Sequence, residues 1–273
     1  MTDLFDLTGR VAVITGGGGL LGEQHGIAIA SAGGTPVLAD VRVDAAREVA
    51  AKIAGAYGVP ALALACDITQ SQDVEGLLAE VLRRYARVDI LINNAANNPR
   101  VEDGAAPRWT SLERMDRGLW EADLAVGLTG AFLCAQIVGG EMARRGKGAV
   151  VNVSSQYGIL APDQRVYRDP ALPPDEQPIK PLGYTVVKAG IIGMTKWLAT
   201  YWAERGVRVN TLTVGGVYNE QPAEFVRRIA DRIPMARMAQ PSEYQGAIQF
   251  LCSEASSFMT GANLVIDGGM SAW

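Results

Sequence analysis

Short apolar runs alternate with longer stretches of helical spacing along the chain. The apolar runs predict strands at residues 11–15, 35–39, 61–65, 90–92, 149–153, 207–212 and 264–266. Apolar residues are nearly continuous within these runs, as is typical of strands that helices cover on both faces. The pattern therefore predicts a parallel sheet of about seven strands.

The stretches between the strands predict helices. They lie at residues 45–54, 73–85, 119–144, 184–204 and 242–252, and a helix-compatible run at 23–32 follows the first strand. Strand and helix in alternation, joined by right-handed crossovers, build a doubly wound α/β sheet. We therefore predict a single Rossmann-type α/β domain over residues 1–273.

Two segments interrupt this alternation. Residues 97–111 are polar, contain proline and follow the end of a strand, where ligands approach an open parallel sheet. Residues 161–181 contain six prolines, which forbid a long helix and favour an extended loop. A loop of this length inside a compact domain is usually functional or disordered. We call residues 161–181 the proline-rich loop.

Composition and charge narrow the possible partners. The chain has 273 residues, of which 48% are hydrophobic and 20% charged, so it can bury a sizeable core. The net charge of −4, without a basic cluster, argues against nucleic acid or an anionic membrane as partner. No apolar stretch is expected to reach membrane-spanning length, and the first residues lack the basic and apolar regions of a signal peptide.

Cysteine and histidine usage favours a reducing compartment and no metal. Cys66, Cys134 and Cys252 are odd in number and far apart, so neither a disulfide framework nor a metal site is expected. His25 is the sole histidine. The sequence predicts a cytoplasmic protein without a metal ion.

A glycine-rich turn follows the first strand. Gly17, Gly19 and Gly22 satisfy the Gly-x-Gly-x-x-Gly spacing, at the junction between a predicted strand and a predicted helix. Glycines allow close backbone approach to a pyrophosphate, and amides at the helix start bind its charge. The match alone also fits an ordinary flexible turn, but Asp40 ends the second predicted strand. A carboxylate there accepts ribose hydroxyls and repels a 2′-phosphate, which favours NAD over NADP, although an ordinary strand-end acid remains the alternative.

Tyr184 and Lys188 are four residues apart at the start of a predicted helix, so they share one face. A phenol normally ionises near pH 10, and a nearby ammonium lowers that pKa toward the range useful for acid–base chemistry. An isolated pair of this kind is usually only a surface contact. Here the Tyr184–Lys188 pair does not stand alone, because other motifs accompany it.

Several motifs in order resemble a classical short-chain dehydrogenase/reductase. These are the glycine turn, Asn-Asn-Ala-Ala at 93–96, Asn-Val-Ser-Ser at 152–155, Tyr184 with Lys188, Cys-Asp-Ile at 66–68 and a C-terminal Asp-Gly-Gly at 267–269. The resemblance covers essentially the whole chain. It implies binding of a nicotinamide dinucleotide, a Ser-Tyr-Lys catalytic set and a homo-oligomer, commonly a tetramer and otherwise a dimer.

The resemblance also implies roles for individual residues. Tyr184 matches the family's acid–base, Lys188 the residue that lowers its pKa and holds the nicotinamide ribose, and Ser155 the donor to the substrate oxygen, with Ser154 as the alternative. The implied cofactor contacts are Gly16, Gly19, Leu20, Leu21, Gly22, Asp40, Asp67, Ile68, Asn94, Ala95, Tyr184, Lys188 and Val217.

The chain departs from the family pattern at three places. Leu20 occupies the usual middle glycine of the turn, Gly127 replaces an asparagine that supports a water relay to the lysine, and Val214 precedes Gly215 where the family has Pro-Gly. If the relay matters, Gly127→Asn should raise turnover.

The proline-rich loop lies between Ser155 and Tyr184, so it should emerge near the substrate. We expect it to form a lid in which Arg165 and Arg168 recognise a polar, phosphorylated or carboxylated substrate; an oligomer-contacting or solvated loop is the alternative. The loop and the C-terminus also resemble oxidoreductases of unusual-sugar or surface-glycan pathways.

The sequence therefore favours an NAD-dependent oxidoreductase that interconverts a secondary alcohol and a ketone on a sugar or other polar polyol derivative. Two alternatives stay open. One is a redox-neutral epimerase or dehydratase that uses NAD transiently. The other is a catalytically weak NAD-binding sensor or scaffold, which the Gly127 and Val214 departures would favour.

Overall fold

The computed structural model describes residues 4–97 and 111–273. One parallel sheet of seven strands has the order β3-β2-β1-β4-β5-β6-β7. The strands are β1 (Val11–Thr15), β2 (Thr35–Asp40), β3 (Leu62–Ala65), β4 (Ile90–Asn93), β5 (Gly148–Ser155), β6 (Val207–Val214) and β7 (Asn263–Ile266). The predicted parallel α/β sheet is confirmed. Of the predicted break at 97–111, residues 98–110 lie outside the described residues.

The principal helices of the described chain connect the strands. They are α1 (Leu20–Ser31), α2 (Val43–Tyr57), α3 (Ser71–Tyr85), α4 (Arg117–Arg145), α5 (Leu182–Trp202), α6 (Ala223–Ala230) and α7 (Gln245–Cys252). The sequence pattern does not predict α6, which follows β6. The end of the predicted helix at 242–252 is confirmed, and its first turn is a 3₁₀ turn, Pro241–Tyr244.

Alternate residues of the buried strands pack into separate cores on the two faces of the sheet. Ala12 and Ile14 of β1 belong to the core that also contains residues of α1 and α7. Val11 and Val13 belong to the opposite core, together with residues of α3, α4 and α5. Coverage of both faces explains why apolar residues are nearly continuous in the strands.

Helix α4 runs without a break from Arg117 to Arg145 and contains two π-helical segments, Ala125–Gly130 and Ala135–Gly139. By length and composition it could cross a membrane, so the expectation that no apolar stretch reaches that length is wrong. Cys134, Val138 and Met142 of this helix are fully buried in the core beneath the sheet. The helix is apolar because it packs on the sheet.

The strand order reverses beside β1, which pairs with β2 on one side and β4 on the other. In open α/β sheets such a reversal leaves a crevice at the carboxyl ends of the strands, where ligands bind. The glycine turn after β1, Asp40 at the end of β2 and the residues after β4 and β5 all lie at this edge.

Candidate active site

The glycine turn is tightly folded against the start of α1. Gly16 has φ +64°, a left-handed conformation that favours glycine. A Cβ on Gly22 would lie 2.1 Å from the Gly16 carbonyl oxygen, so only glycine lets the first turn of α1 pack there. The amides that begin a helix have no partner inside it and carry partial positive charge, so this turn can bind a phosphate.

Asn94 holds the glycine turn from the neighbouring strand. Its side-chain amide donates to the carbonyls of Thr15 at 2.9 Å and of Gly16 at 3.2 Å. The hydroxyl of Thr15 accepts hydrogen bonds from the backbone amides of Asn94 and Ala95. The residues after β4 therefore fix the turn that follows β1.

Asp40 lies next to the glycine turn, and backbone amides hold both of its carboxylate oxygens in place. One oxygen accepts from the Gly18 amide at 3.0 Å, and the other accepts from the Arg42 amide at 2.9 Å. Asp40 also lines a cavity of about 330 Å³, which we call the turn-side cavity. The other predicted cofactor contacts that line it are Gly16, Gly19, Leu20, Leu21, Asp67, Ile68, Asn94 and Ala95.

Tyr184 and Lys188 lie in the first two turns of α5, which begins after Pro181. The Lys188 ammonium donates to the Val153 carbonyl of β5 at 2.9 Å and lies 5.7 Å from the centre of the Tyr184 ring. Lys188 is only 5% exposed. Burial, helped by the charge of Lys180, lowers the pKa of Lys188 to about 8.

The two serines that end β5 have different surroundings. The Ser154 hydroxyl donates to the Lys188 carbonyl at 2.7 Å, which ties α5 to the strand. The Ser155 hydroxyl accepts from the Tyr157 amide at 3.2 Å and hydrogen-bonds with Tyr184. Burial raises the pKa of Tyr184, and the contact with Ser155 partly opposes that change. The structure therefore brings Ser155, Tyr184 and Lys188 together.

These three residues line a second cavity of about 360 Å³, which we call the tyrosine-side cavity. Val217, held by a bridge to Ala239, lines it as well. Both cavities are lined by Leu20, Leu21, Asn94 and Ala96, so they form one continuous cleft. An elongated ligand can therefore extend from Asp40 to Tyr184.

The proline-rich loop reaches this cleft, but through other residues than expected. Arg165 pairs with Asp163, and its side chain is 71% exposed. Arg168 is exposed, and its carbonyl accepts from Arg228 of α6. Neither arginine is among the described residues that line the tyrosine-side cavity.

Tyr167 and Lys180 are the loop residues that line the cavity. The Tyr167 hydroxyl donates to that of Tyr157 at 3.2 Å, and the Lys180 ammonium lies 4.1 Å from the centre of the Tyr184 ring. The sequence pattern predicts neither residue as a substrate contact. A signal for Lys180 exists, because it precedes Tyr184 by the same four positions by which Lys188 follows it.

The loop is fastened to α6 rather than left open. Arg232, just after α6, donates from Nε to the Asp163 carboxylate at 2.8 Å, and Arg228 donates to the Val166 carbonyl at 3.2 Å. Val166 is buried with Ile229 in a small apolar cluster between loop and helix. Helix α6 and the loop therefore form one wall of the cleft.

Comparison with known proteins agrees with this architecture. The family model for short chain dehydrogenase matches residues 10–167, and that for Enoyl-(Acyl carrier protein) reductase matches residues 178–271. The chain belongs to the short-chain dehydrogenase family and is an oxidoreductase.

The names of several relatives refer to polyols or sugar acids. The D-threitol dehydrogenase of Mycolicibacterium smegmatis is 33% identical over 97% of this chain and 94% of its own length. The NAD-dependent glycerol dehydrogenase of Listeria innocua is 32% identical over 97% of this chain and 95% of its own length. The gluconate 5-dehydrogenase of Burkholderia cenocepacia, solved with NADP and tartrate, superposes with a TM-score of 0.85 at 29% identity, covering 99% and 98% of the two chains.

Proposed function

We propose that this protein is an NAD-dependent dehydrogenase that interconverts a secondary alcohol and a ketone on a polyol or sugar derivative. One observation carries the proposal. The Tyr184 phenol lies with Ser155 and Lys188 at one end of a cleft whose other end is lined by Asp40 and the glycine turn.

The turn-side cavity fits a nicotinamide dinucleotide. The close contact of Gly22 with Gly16 leaves the start of α1 open to a pyrophosphate, and Asp40 keeps acceptor capacity for ribose hydroxyls. NAD is favoured over NADP because the Asp40 carboxylate would repel a 2′-phosphate. The relatives include both an NAD-dependent enzyme and an NADP complex, so the preference rests on Asp40.

The proposed chemistry assigns one task to each of the three residues. When bound, the nicotinamide supplies hydride transfer to or from the reacting carbon. Ser155 donates a hydrogen bond to the substrate oxygen, and Tyr184 takes the hydroxyl proton in oxidation or returns it in reduction. The Lys188 ammonium stabilises the phenolate and so offsets the effect of burial on the Tyr184 pKa.

Polar groups around the cavity support a polyol substrate. Tyr157 and Tyr167 supply hydroxyls, and Gln156, Asn219 and Gln221 supply amides. Such groups can exchange hydrogen bonds with several substrate hydroxyls. The narrower assignment to unusual-sugar or surface-glycan pathways stays a prediction.

Absorbance at 340 nm during turnover tests the proposal. The protein is incubated with NAD and a panel of sugar alcohols, sugar acids and simple secondary alcohols. A rise in absorbance that needs substrate supports a dehydrogenase. Product without a net change in absorbance would instead indicate the epimerase or dehydratase alternative, and NAD binding without any product would indicate a sensor or scaffold.

We also propose a cytoplasmic homo-oligomer, a tetramer or a dimer. Cys66, Cys134 and Cys252 are buried free thiols, as expected in a reducing compartment. Trp197 stacks on Tyr201 with 4.8 Å between ring centres, and both side chains are exposed on α5. Exposed aromatic side chains are enriched at protein interfaces. Sedimentation velocity of the wild type and of Trp197→Ala tests this assignment.

A further inference from the structure

Two lysines lie close to the Tyr184 ring. Lys188 follows Tyr184 by four residues, and its ammonium lies 5.7 Å from the ring centre. Lys180 precedes Tyr184 by four residues, and its ammonium lies closer, 4.1 Å from the ring centre, on a side chain that is buried. The family resemblance gives a task to Lys188 only, so the role of the nearer ammonium is open.

The proline-rich loop holds Lys180 at the start of α5. The Lys180 amide donates to the Gln164 side-chain carbonyl at 2.8 Å, and the Gln164 side-chain amide donates to the Lys180 carbonyl at 3.4 Å. Gln164 begins the 3₁₀ turn that follows Asp163, and Asp163 accepts from Arg232. The backbone that carries Lys180 is therefore fastened both within the loop and to the residues after α6.

Asp123 of α4 is the buried acid that interacts with Lys180. A Cβ on Gly183 would lie 2.5 Å from the Asp123 Oδ2 oxygen, so this carboxyl packs against the first turn of α5. Burial raises the pKa of Asp123, and the charge of Lys180 is among the effects that oppose this change. The interaction with Asp123 favours the charged form of Lys180, which leaves its ammonium charged beside the aromatic ring.

The groups that face Tyr184 from the end of β5 bring no positive charge. Burial raises the pKa of Tyr184, the hydrogen bond with Ser155 opposes that change, and the neighbouring phenol of Tyr157 adds to it. Lys180 and Lys188 are the cations among the described residues that line the tyrosine-side cavity. Stabilisation of a negative charge on Tyr184 by protein cations therefore falls to these two lysines.

A cation near the face of an aromatic ring is attracted to its π electrons. Ionisation of the phenol adds a full negative charge that is partly delocalised into the ring, so the attraction to Lys180 becomes stronger in the phenolate. The two ammonium groups also repel each other, since the charge of Lys180 adds to burial in lowering the pKa of Lys188 to about 8. A phenolate on Tyr184 would offset this repulsion.

We propose that Lys180 shares with Lys188 the task of stabilising the Tyr184 phenolate, by holding a second positive charge against the ring. This inference rests on the proposed dehydrogenase function and adds a residue to it. Lys180 acts through Tyr184 and not on the reacting carbon. In alcohol oxidation the phenolate takes the hydroxyl proton as hydride leaves for the nicotinamide, so a more stable phenolate extends oxidation to lower pH.

The pH profile of kcat for polyol oxidation with NAD tests this role. In Lys180→Met the midpoint of the rise should move up by about 0.5–1 pH unit. The shift is limited because Lys188, relieved of repulsion, holds its own proton more firmly. The kcat reached at high pH should stay within about threefold of the wild type, because the phenol, once ionised, does the same work. An unmoved midpoint would overturn the proposal.

Two further variants separate charge from structure. Lys180→Arg keeps a cation that can lie on the ring, so its midpoint should stay within about 0.3 pH unit of the wild type. Lys196→Met, at an exposed position of α5, is the control and should leave the profile unchanged. If Lys180→Arg moves the midpoint as far as Lys180→Met does, the side chain acts by packing and the proposal is wrong.

Ultraviolet titration of the phenolate keeps this inference apart from the proposed function, because it needs no substrate. The chain has eight tyrosines, so the titration of the matching Tyr184→Phe variant is subtracted to leave the signal of Tyr184. A higher midpoint in Lys180→Met without oxidation of any substrate would refute the dehydrogenase but support the role of Lys180. Oxidation of polyols together with equal Tyr184 midpoints would refute the role of Lys180 alone.

Discussion

Gly127 of α4 lies directly against Val187 of α5: a Cβ on Gly127 would stand 2.4 Å from the Val187 Cγ1. Val187 is 3% exposed and adjoins Lys188 in the chain. The glycine that replaces the expected asparagine therefore allows close packing of the two helices. Gly127→Asn would disturb this packing, so we no longer expect that substitution to raise turnover.

We expect Gly127→Ala to destabilise the protein by about 1–3 kcal/mol, the usual result of overpacking a well-packed contact. Urea denaturation measures the change in free energy of unfolding. Val187→Ala in the same chain should recover part of the loss by making room for the new methyl group. Gly140→Ala in the same helix is the control, since a Cβ there would meet nothing within 4 Å. If Gly127→Ala is no less stable than Gly140→Ala, the helices do not pack as described.

Lys188→Met should shift the pH dependence of alcohol oxidation. Oxidation needs the ionised Tyr184, so its rate rises with pH as the phenol loses its proton. Without the neighbouring ammonium, the midpoint of that rise should move up by at least about one pH unit, and kcat at pH 7 should fall at least tenfold. The pH profile of kcat makes the comparison, with Lys196→Met as control. An unmoved midpoint would show that Lys188 does not affect the phenol.

Asp40→Asn should weaken the preference for NAD. The variant keeps the size of the side chain but removes the charge that repels a 2′-phosphate. Arg42 lines the turn-side cavity together with Asp40. The ratio of kcat/KM for NAD to that for NADP should fall by at least about tenfold, equivalent to about 1.4 kcal/mol. Asp44→Asn, at an exposed acid on α2, is the control. An unchanged ratio would remove Asp40 from cofactor selection.

His25 should make stability depend on pH. It is fully buried, and burial lowers its pKa to about 4. Among the described residues, neither ring nitrogen of His25 has a hydrogen-bond partner. Below about pH 6.5 the unfolded chain binds a proton that the folded chain does not, so stability falls as the pH drops toward 4.

The expected loss over that range is about 3 kcal/mol, from the size of the pKa shift. Urea denaturation at pH 7.5, 5.5 and 4.5 measures it. His25→Leu keeps an apolar side chain of similar size and should show a smaller decrease in stability over the same range. Parallel curves for the two proteins would mean that His25 does not titrate differently in the folded state.

The local parts of the site were predictable from the sequence. The spacing of Tyr184 and Lys188 fixes their common helix face, and the glycine turn follows from a strand that meets a helix. The strand bounds agree to within two residues because strands buried on both faces contain nearly continuous apolar runs, such as Val11–Ile14 of β1.

The parts that depend on tertiary contacts were not predictable. Arg165 pairs with Asp163, which Arg232 also holds from beyond α6, and no local pattern shows a contact across 69 residues. Lys180 reaches Tyr184 only because the proline-rich loop returns to the start of α5. Charged residues in a loop indicate possible ligand contacts, but their partners in the fold decide which of them face the cleft.

The central claim is that the Tyr184 phenol, supported by Ser155 and Lys188, exchanges the proton of the reacting hydroxyl. Tyr184→Phe removes only the phenolic oxygen, so the most direct test is a single-turnover measurement at 340 nm with NAD and a polyol that the wild type oxidises. We predict hydride transfer at least roughly a hundredfold slower than in the wild type, with the Kd for NAD unchanged within about threefold. Hydride transfer at the wild-type rate would contradict the account.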